Sequence, residues 1–163
     1  MTNLYAQDQE FGCIPLEMAT SMSGQEIFEK MISGEIDPPP IYQKMNIKML
    51  ECEPGRTYIQ GRPSQADYNP ISTVHGGWIA TIMDATMASC IHTLLPAGNG
   101  FSTVEFKVNL VRPLTEDTGD VFCEGKVIHF GRTIATSEAR LVTSKGKLLA
   151  HGVETCSIFL IKK

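Results

Sequence analysis

The sequence predicts an α+β fold in which an antiparallel sheet of five or six strands wraps around one long central helix. Residues 78–95 form an apolar run with hydrophobic residues on every side, which is typical of a helix that is buried all round. Two strand-like segments precede this run and about four follow it, each bounded by turn residues. A single apolar helix and such a sheet bury their apolar surfaces against each other, so we expect the sheet to enclose the helix.

We divide the chain into an N-terminal lead-in, residues 1–40, and one domain, residues 41–163. Residues 1–22 are expected to be weakly structured. Ser23 and Glu26 form a capping-box pattern that predicts a short helix over residues 24–32, which Gly34 ends. The Asp37–Pro40 segment is expected to be a stiff extended connector that cannot continue a helix. We expect the short helix to cover a pocket or an edge of the sheet.

The domain begins with a predicted hairpin, in which Pro54 and Gly55 join two strands, and the central helix follows it. Pro96 to Gly100 end the helix. The remaining segments predict strands at 101–111, 119–130, 133–144 and 148–160, after hairpin strands at 45–53 and 57–62. The first strand after the helix alternates in period two throughout. A sheet of this kind leaves open edges, which commonly pair across a two-fold axis.

Composition limits the classes of partner. The chain is 42% hydrophobic and 20% charged, as is usual for a soluble globular protein. A net charge of −4 and a pI near 5.5 argue against a nucleic-acid surface. Asp84 and His92 interrupt the longest apolar segment, so we expect no membrane span. The first ten residues lack the basic and apolar regions of a signal peptide.

The cysteines indicate compartment and metal content. Their number is odd, and no C-x-x-C pair or Cys/His cluster suggests a metal site; they stand at positions 13, 52, 90, 123 and 156. Reduced thiols in the cytoplasm are therefore expected, with no bound metal.

Asp84 is the one charged residue inside the central apolar run. Burying an ionised carboxylate without partners costs much free energy, so Asp84 needs hydrogen-bond donors, a proton or a chemical function. Two interpretations stand at this point. Asp84 is a catalytic acid, or it is a structural acid capped by Ser or Thr hydroxyls.

The residues around Asp84 resemble a known family. Three features carry the resemblance: Asn69-x5-His75-Gly76-Gly77, Asp84 nine residues after the histidine, and the strand T-V-E-F-K-V-N-L-V-R-P. Together they resemble the hotdog-fold acyl-CoA thioesterases. Within the 4HBT superfamily the closest group is the PaaI-type branch, related to 4-hydroxybenzoyl-CoA thioesterases. The resemblance covers roughly residues 40–160. It implies a hotdog fold, hydrolysis of an acyl- or aryl-CoA thioester at a dimer interface, and at least a homodimer, with a homotetramer (a dimer of dimers) favoured.

The resemblance also suggests roles for single residues. Asp84 matches the family's carboxylate nucleophile or general base, and Gly76 matches the glycine whose backbone N–H polarises the thioester carbonyl. His75 and Asn69 match residues that shape the turn and the site. Thr103 matches a Ser/Thr position that orients the attacking water. Ordinary structural roles remain open for all five residues: a capped buried acid for Asp84, and for the others a helix-start hydrogen bond, a tight turn, a turn asparagine and a β-branched strand residue.

Further residues are candidates for substrate binding. Ser102 is the alternative to Thr103, and Gly77 is a second possible backbone donor at the helix start. Trp78 either lines an acyl pocket or packs between helix and sheet. The coenzyme A phosphates require cations, for which the candidates are Arg112, the Gly131-Arg132 turn, Lys145 and Lys147, although surface Arg and Lys are common.

Helix geometry adds an inference about assembly. Asp84 follows Gly76 by eight residues, which is about 12 Å of helix rise at roughly 1.5 Å per residue. A carboxylate cannot reach across that distance to the carbonyl held by the Gly76 N–H. If both groups act on one substrate, they come from different chains of a two-fold dimer.

The sequence therefore predicts an acyl-CoA thioesterase that releases a carboxylic acid and free coenzyme A. No metal or redox cofactor is implied, because coenzyme A is part of the substrate. One alternative is a non-catalytic acyl-CoA sensor, although Asp84 is retained and a basic DNA-binding segment is absent. A hotdog dehydratase or hydratase is the weaker alternative, since neither D-x4-H nor H-F-P-G occurs. The acyl group is left open.

Overall fold

A computed structural model describes residues 3–162 and confirms the predicted architecture. Met1 and Thr2 of the predicted lead-in, residues 1–40, and Lys163 of the predicted domain, residues 41–163, lie outside the described residues. The helices are α1 (Leu16–Ser21), α2 (Gly24–Ser33), α3 (Pro40–Met45) and α4 (Gly76–His92). The strands are β1 (Ile47–Glu53), β2 (Arg56–Gly61), β3 (Asn99–Leu110), β4 (Val121–Phe130), β5 (Ile134–Thr143) and β6 (Leu148–Leu160). They form one antiparallel sheet in the order β1-β2-β4-β5-β6-β3.

The long helix α4 lies against one face of this sheet and forms the core with it. Ile82, Met83 and Met87 of α4 are fully buried together with the strand residues Ile59 and Leu141. The prediction of a helix buried all round is wrong for one strip, which includes Thr81, Asp84 and Ala85 and is only half-buried. The sheet covers one side of the helix, and this strip faces the N-terminal helices across a pocket.

The predicted N-terminal helix is confirmed as α2. The Ser23 side chain accepts from the Glu26 N–H, and Glu26 accepts from the Ser23 N–H, so the capping box is formed. The N–H of Gly24 donates to the carbonyl of Leu95, where α4 has just ended. A Cβ on Gly24 would lie 1.9 Å from the carbonyl oxygen of His92, so only glycine fits this crossing.

Helix α2 lies against β1, the edge strand at one end of the sheet. Its Phe28 is buried in the main core, as is Tyr42 of α3. Nearer the chain start, the Tyr5 hydroxyl donates to the carbonyl of Ile47 in β1. The lead-in therefore covers an edge of the sheet, as the sequence predicted for its short helix.

Two local predictions are wrong. The Asp37–Pro40 segment is not wholly an extended connector, because Pro40 begins α3; proline suits the first helical position, where no N–H is needed. The stretch 1–22 includes α1, a six-residue helix with no buried residue, which is too short for apolar periodicity to predict it.

A β-bulge at Val104 shifts the register of β3. Thr103 pairs with Cys156 and Glu105 with Thr155, so Val104 has no partner on β6. The predicted uninterrupted alternation over residues 101–111 is therefore wrong beyond Thr103. The bulge puts Phe106 on the same face as Thr103, opposite Glu154 of β6.

Candidate active site

The site is built around the start and the middle of α4. His75 is the N-cap: its backbone is extended, and its Nδ1 accepts a hydrogen bond of 2.8 Å from the N–H of Gly77. A Cβ on Gly77 would lie 2.9 Å from that nitrogen, so the glycine makes room for the cap. The N–H of Gly77, a predicted donor to substrate, is thus already used within the chain.

Gly76 is the first residue of α4, where a backbone N–H has no partner within the helix. The N–H of Trp78 donates to the carbonyl of His75, and that of Gly77 to the His75 ring. Within residues 3–162 the Gly76 N–H has no hydrogen-bond partner, so it is available to a ligand. Its position beside Leu110, whose Cδ1 would be 3.1 Å from an added Cβ, places it close to the end of β3.

Asn69 organises the loop before α4. Its Oδ1 accepts from the backbone N–H groups of Ile71 and Thr73, and its Nδ2 donates to the Thr73 hydroxyl at 2.8 Å. The backbone of Asn69 also bonds to that of Thr73, and Ser72 adopts a left-handed φ of 61° in the tight turn. The side chain is thus engaged in the loop, and direct contact of Asn69 with substrate stays a prediction.

Asp84 lies two turns further along α4 and meets β3. The hydroxyl of Thr103 lies 3.3 Å from Asp84 Oδ1, whereas the side chain of Ser102, the preceding residue of β3, points to the opposite face of the sheet. The structure therefore brings Thr103, and not Ser102, to the acid. Burial raises the pKa of the Asp84 carboxyl, and hydrogen bonds with Thr103 and Glu154 partly oppose that rise.

Glu154 of β6 is a member of this cluster that the sequence reasoning missed. Its side chain is 2% exposed, and its Oε1 lies 3.0 Å from both the Thr103 hydroxyl and the Cys156 thiol. Burial is the main cause that raises the pKa of Glu154 to about 7, and the nearby charge of Asp84 adds to it. A signal was present, because Ala150, Gly152 and Cys156 alternate with outward residues and place position 154 on the inner face.

An apolar pocket opens beside Asp84. Thr81, Asp84 and Ala85 of α4 form one wall, and residues 12–14 with helices α2 and α3 form the others. The cavity volume is about 380 Å³, within the range of roughly 300–1,000 Å³ that is usual for small-molecule pockets. The lead-in thus supplies much of the pocket lining, and an acyl group placed there would lie next to the acid.

The remaining predicted contacts are spread over the molecule. Trp78 is 3% exposed, packs against β2 and donates its indole N–H to the carbonyl of Met45. It therefore packs between helix and sheet and does not line the apolar pocket beside Asp84. Arg112 and Lys147 share a depression near the end of β3. Gly131 and Arg132 occupy the β4–β5 turn, a whole strand of roughly 30 Å away from the β5–β6 turn that holds Lys147.

Two kinds of site are not found in the described part of the chain. Within residues 3–162, no group of three or more His, Cys, Asp and Glu side chains is arranged to hold a metal ion. None of the helices in that range is long and apolar enough to cross a bilayer.

Comparison with known proteins places this geometry in a family context. The family model described as the thioesterase superfamily matches residues 72–150, which run from the α4 approach to the start of β6. A Saccharolobus solfataricus protein provisionally named an esterase is 26% identical over 85% of this chain and 91% of its own length. Human acyl-coenzyme A thioesterase 13 is 29% identical over 67% of this chain and 77% of its own.

Solved structures show the same fold. A Ralstonia eutropha JMP134 protein, provisionally described as a thioesterase and as phenylacetic acid degradation-related, superposes with a TM-score of 0.73. The match covers 80% of this chain and 98% of that protein, at 23% identity. The helix wrapped by a six-stranded antiparallel sheet is thus the hotdog fold.

Proposed function

We propose that this chain is a thioester hydrolase that cleaves acyl-CoA at a site shared by two chains, because residues 72–150 match the thioesterase superfamily model and its relatives are named an esterase and an acyl-coenzyme A thioesterase. The products are a carboxylic acid and free coenzyme A. One observation carries the proposal: Asp84 is a half-buried acid in contact with Thr103 that also lines an apolar pocket. The name of the human relative, an acyl-coenzyme A thioesterase, supports coenzyme A as the leaving group.

Asp84 supplies the attack on the thioester. In one route the Asp84 carboxylate accepts a proton from a water molecule, and that water attacks the carbonyl carbon. In the other route the carboxylate itself attacks the carbonyl carbon, and water hydrolyses the resulting acyl-enzyme in a second step. Both routes place negative charge on the carbonyl oxygen. A backbone N–H at a helix start, here that of Gly76, stabilises such a charge. The carbon–sulfur bond then breaks, and coenzyme A leaves as the thiol after taking up a proton.

The two groups come from different chains. Gly76 and Asp84 belong to the same unbroken helix, so about 12 Å of rise separates them. Strand β3 is the free edge of the sheet, and its exposed apolar residues Val104, Phe106 and Leu110 favour pairing with a second copy of the chain. A two-fold dimer formed along β3 would bring α4 of each chain toward the other.

The substrate is oriented by its two ends. The acyl group enters the apolar pocket beside Asp84, which favours aryl or aliphatic over charged acyl groups. Arg112 and Lys147 lie beyond the end of β3, whose Leu110 touches Gly76, so they are the better placed cations for coenzyme A phosphates. Arg132 would have to act from the partner chain.

The proposed function includes an assembly state and a cellular location. The expected assembly is a homotetramer, a dimer of dimers. Analytical ultracentrifugation should then report about four times the 17.9 kDa chain mass. A cytoplasmic location is supported by the five cysteines, none of which forms a disulfide.

Release of coenzyme A thiol from a panel of aryl- and alkyl-CoA esters tests the function. Asp84→Asn keeps the shape of the acid and removes its charge, so turnover should fall by at least about a hundredfold while fold and assembly persist. Unchanged turnover in Asp84→Asn would remove this residue from the mechanism. A wild type that binds an ester tightly but releases no thiol would establish the sensor alternative.

A further inference from the structure

We propose that Glu154 is a positioning residue for Asp84: its carboxyl group is protonated and donates a hydrogen bond that holds the Asp84 carboxylate ionised and oriented. The inference rests on the proposed function, because it concerns the acid of that site. Glu154 lies on β6, beyond residues 72–150 that the family model matches.

The contacts of Glu154 are those of a neutral carboxylic acid. Its Oε1 is within 3.0 Å of two donors, the Thr103 hydroxyl and the Cys156 thiol, as a carbonyl oxygen would be. Its Oε2 is buried and has no donor near it. An ionised Glu154 would leave negative charge on that oxygen without compensation, which is costly in an apolar interior. A proton on Oε2 removes the cost and creates a donor.

Asp84 is the acceptor for that donor. The two carboxyl groups meet at the Thr103 hydroxyl, which lies 3.0 Å from Glu154 Oε1 and 3.3 Å from Asp84 Oδ1. A hydrogen bond between the two acids raises the pKa of Glu154 and lowers that of Asp84. Glu154 is 2% exposed, whereas Asp84 is half-buried and lines an open pocket. Charge is less costly at the more accessible site, so the shared proton resides on Glu154 and the charge on Asp84.

No cation offers another way to neutralise the pair. The groups facing Glu154 are Asp84 and Cys90 from α4, Cys156 from its own strand, Thr103 from β3 and Ser137 from β5. Within residues 3–162, neither acid forms an ion pair. The proton is therefore the only positive charge that the described surroundings supply.

The Thr103 hydroxyl is a further reason for Glu154 to carry a proton. Its hydroxyl lies 3.0 Å from Glu154 Oε1 and 3.3 Å from Asp84 Oδ1, but it has one hydrogen to donate. With both acids ionised, one carboxylate would face a bare hydroxyl oxygen. With Glu154 protonated, each acid has a donor.

The decisive experiment is the pH profile of thioester hydrolysis in Glu154 variants. Glu154→Gln keeps the carbonyl that accepts from Thr103 and Cys156, and its amide donates to Asp84 at every pH. We expect the wild-type rate to decline above about pH 7, as Glu154 loses its proton. Glu154→Gln should match the wild type within about threefold at pH 6 and lack that decline. Glu154→Leu should lose about tenfold to a hundredfold in kcat with little change in KM.

Glu138→Gln is the matched control, because it makes the same change at an exposed position of β5 and should leave the profile unchanged. A Glu154→Gln profile that superimposes on the wild type overturns the inference, as does a folded Glu154→Leu with wild-type kcat. If Glu154→Leu does not fold, the Glu154→Gln profile decides alone. If the wild type shows no turnover, the proposed function is wrong. The hydrogen bond between protonated Glu154 and Asp84 is then supported only if Glu154→Gln weakens the pH dependence of the unfolding midpoint.

Discussion

The backbone N–H of Gly77 donates to Nδ1 of His75 over 2.8 Å, and this contact determines which amide at the start of α4 is left for a ligand. A helix start presents several N–H groups without intrahelical partners. His75 takes one of them through its ring and another, that of Trp78, through its carbonyl. The histidine thus caps the helix and occupies the Gly77 and Trp78 amides, and under the proposed function the Gly76 N–H is the donor to the substrate.

Removing the cap should cost stability. His75→Ala leaves the Gly77 N–H without its partner, and we expect the free energy of unfolding to fall by about 1 kcal/mol, the usual value of an N-cap side chain. His75→Asn, which supplies another good capping group, should restore most of the loss. Urea denaturation at constant pH measures both variants.

A double-mutant cycle identifies the partner of the cap. A methyl group on Gly77 would lie 2.9 Å from the His75 ring nitrogen, so Gly77→Ala should disrupt the same contact. In the His75→Ala background the Gly77→Ala change should cost clearly less than in the wild type. Fully additive losses would show that the two residues do not act through this hydrogen bond.

Thr103 and Ser102 are adjacent in β3, but only Thr103 reaches Asp84. Thr103→Val preserves the shape of the side chain and removes the hydroxyl that bridges Asp84 and Glu154, so kcat should fall by about tenfold. Thr103→Ser should keep most of the activity, and Ser102→Ala should leave it near the wild-type level. A larger loss in Ser102→Ala than in Thr103→Val would reverse the assignment.

The contrast between Asp84 and Glu154 shows how far the sequence could predict the site. Asp84 is conspicuous because it interrupts an apolar helix, and the capping signals at Ser23 and His75 are local, so the helix starts could be found from neighbouring residues. Glu154 is an acid in a strand that already contains polar residues. Its importance depends on Thr103 and Asp84, which are distant in sequence and meet only after the sheet has formed.

The bulge at Val104 and the start of α3 were missed for related reasons. A strand with continuous alternation carries no local sign of an extra residue, because the register is set by pairing with β6. Pro40 is compatible with both an extended connector and the first residue of a helix, and the packing of Tyr42 in the core favours the helix.

Filling the pocket should change acyl preference. Ala85→Leu adds bulk to the α4 wall beside Asp84, so kcat/KM for long acyl and aryl esters should fall by about tenfold or more. Acetyl-CoA, which needs little of the pocket, should be affected much less. Ala97→Leu places the same bulk at an exposed loop position and is the control. Equal losses for short and long esters would argue that the acyl group binds elsewhere.

Glu154 should also make stability depend on pH. Its pKa rises from an ordinary 4.5 to about 7 on folding, so the folded protein binds more protons than the unfolded chain between these values. The free energy of unfolding should therefore fall as pH rises from about 4.5 to 7, by up to about 3 kcal/mol from this group. Glu154→Gln should remove that contribution. Chemical denaturation of both proteins at pH 5 and pH 8 measures it, and parallel changes in the two would refute the assignment.

The shared site predicts that two inactive variants restore each other. Gly76→Pro removes the N–H at the first position of α4, where proline is well tolerated, and the extended backbone of His75 suits a residue before proline. It should fold and be inactive, while Gly76→Ala, which keeps the N–H, should stay active. Asp84→Asn should be inactive because the charge is lost.

When Gly76→Pro and Asp84→Asn chains are unfolded together and refolded as a mixture, half of the dimers should contain one chain of each kind. Each mixed dimer has one site in which the intact Gly76 of one chain faces the intact Asp84 of the other, and a second site that lacks both. About a quarter of all sites are then intact, so thioester hydrolysis should recover to about a quarter of the wild-type rate. Recovery requires that the donor and the acid come from different chains, because no chain in the mixture carries both. A refolded, dimeric mixture without activity would show that each chain uses its own pair.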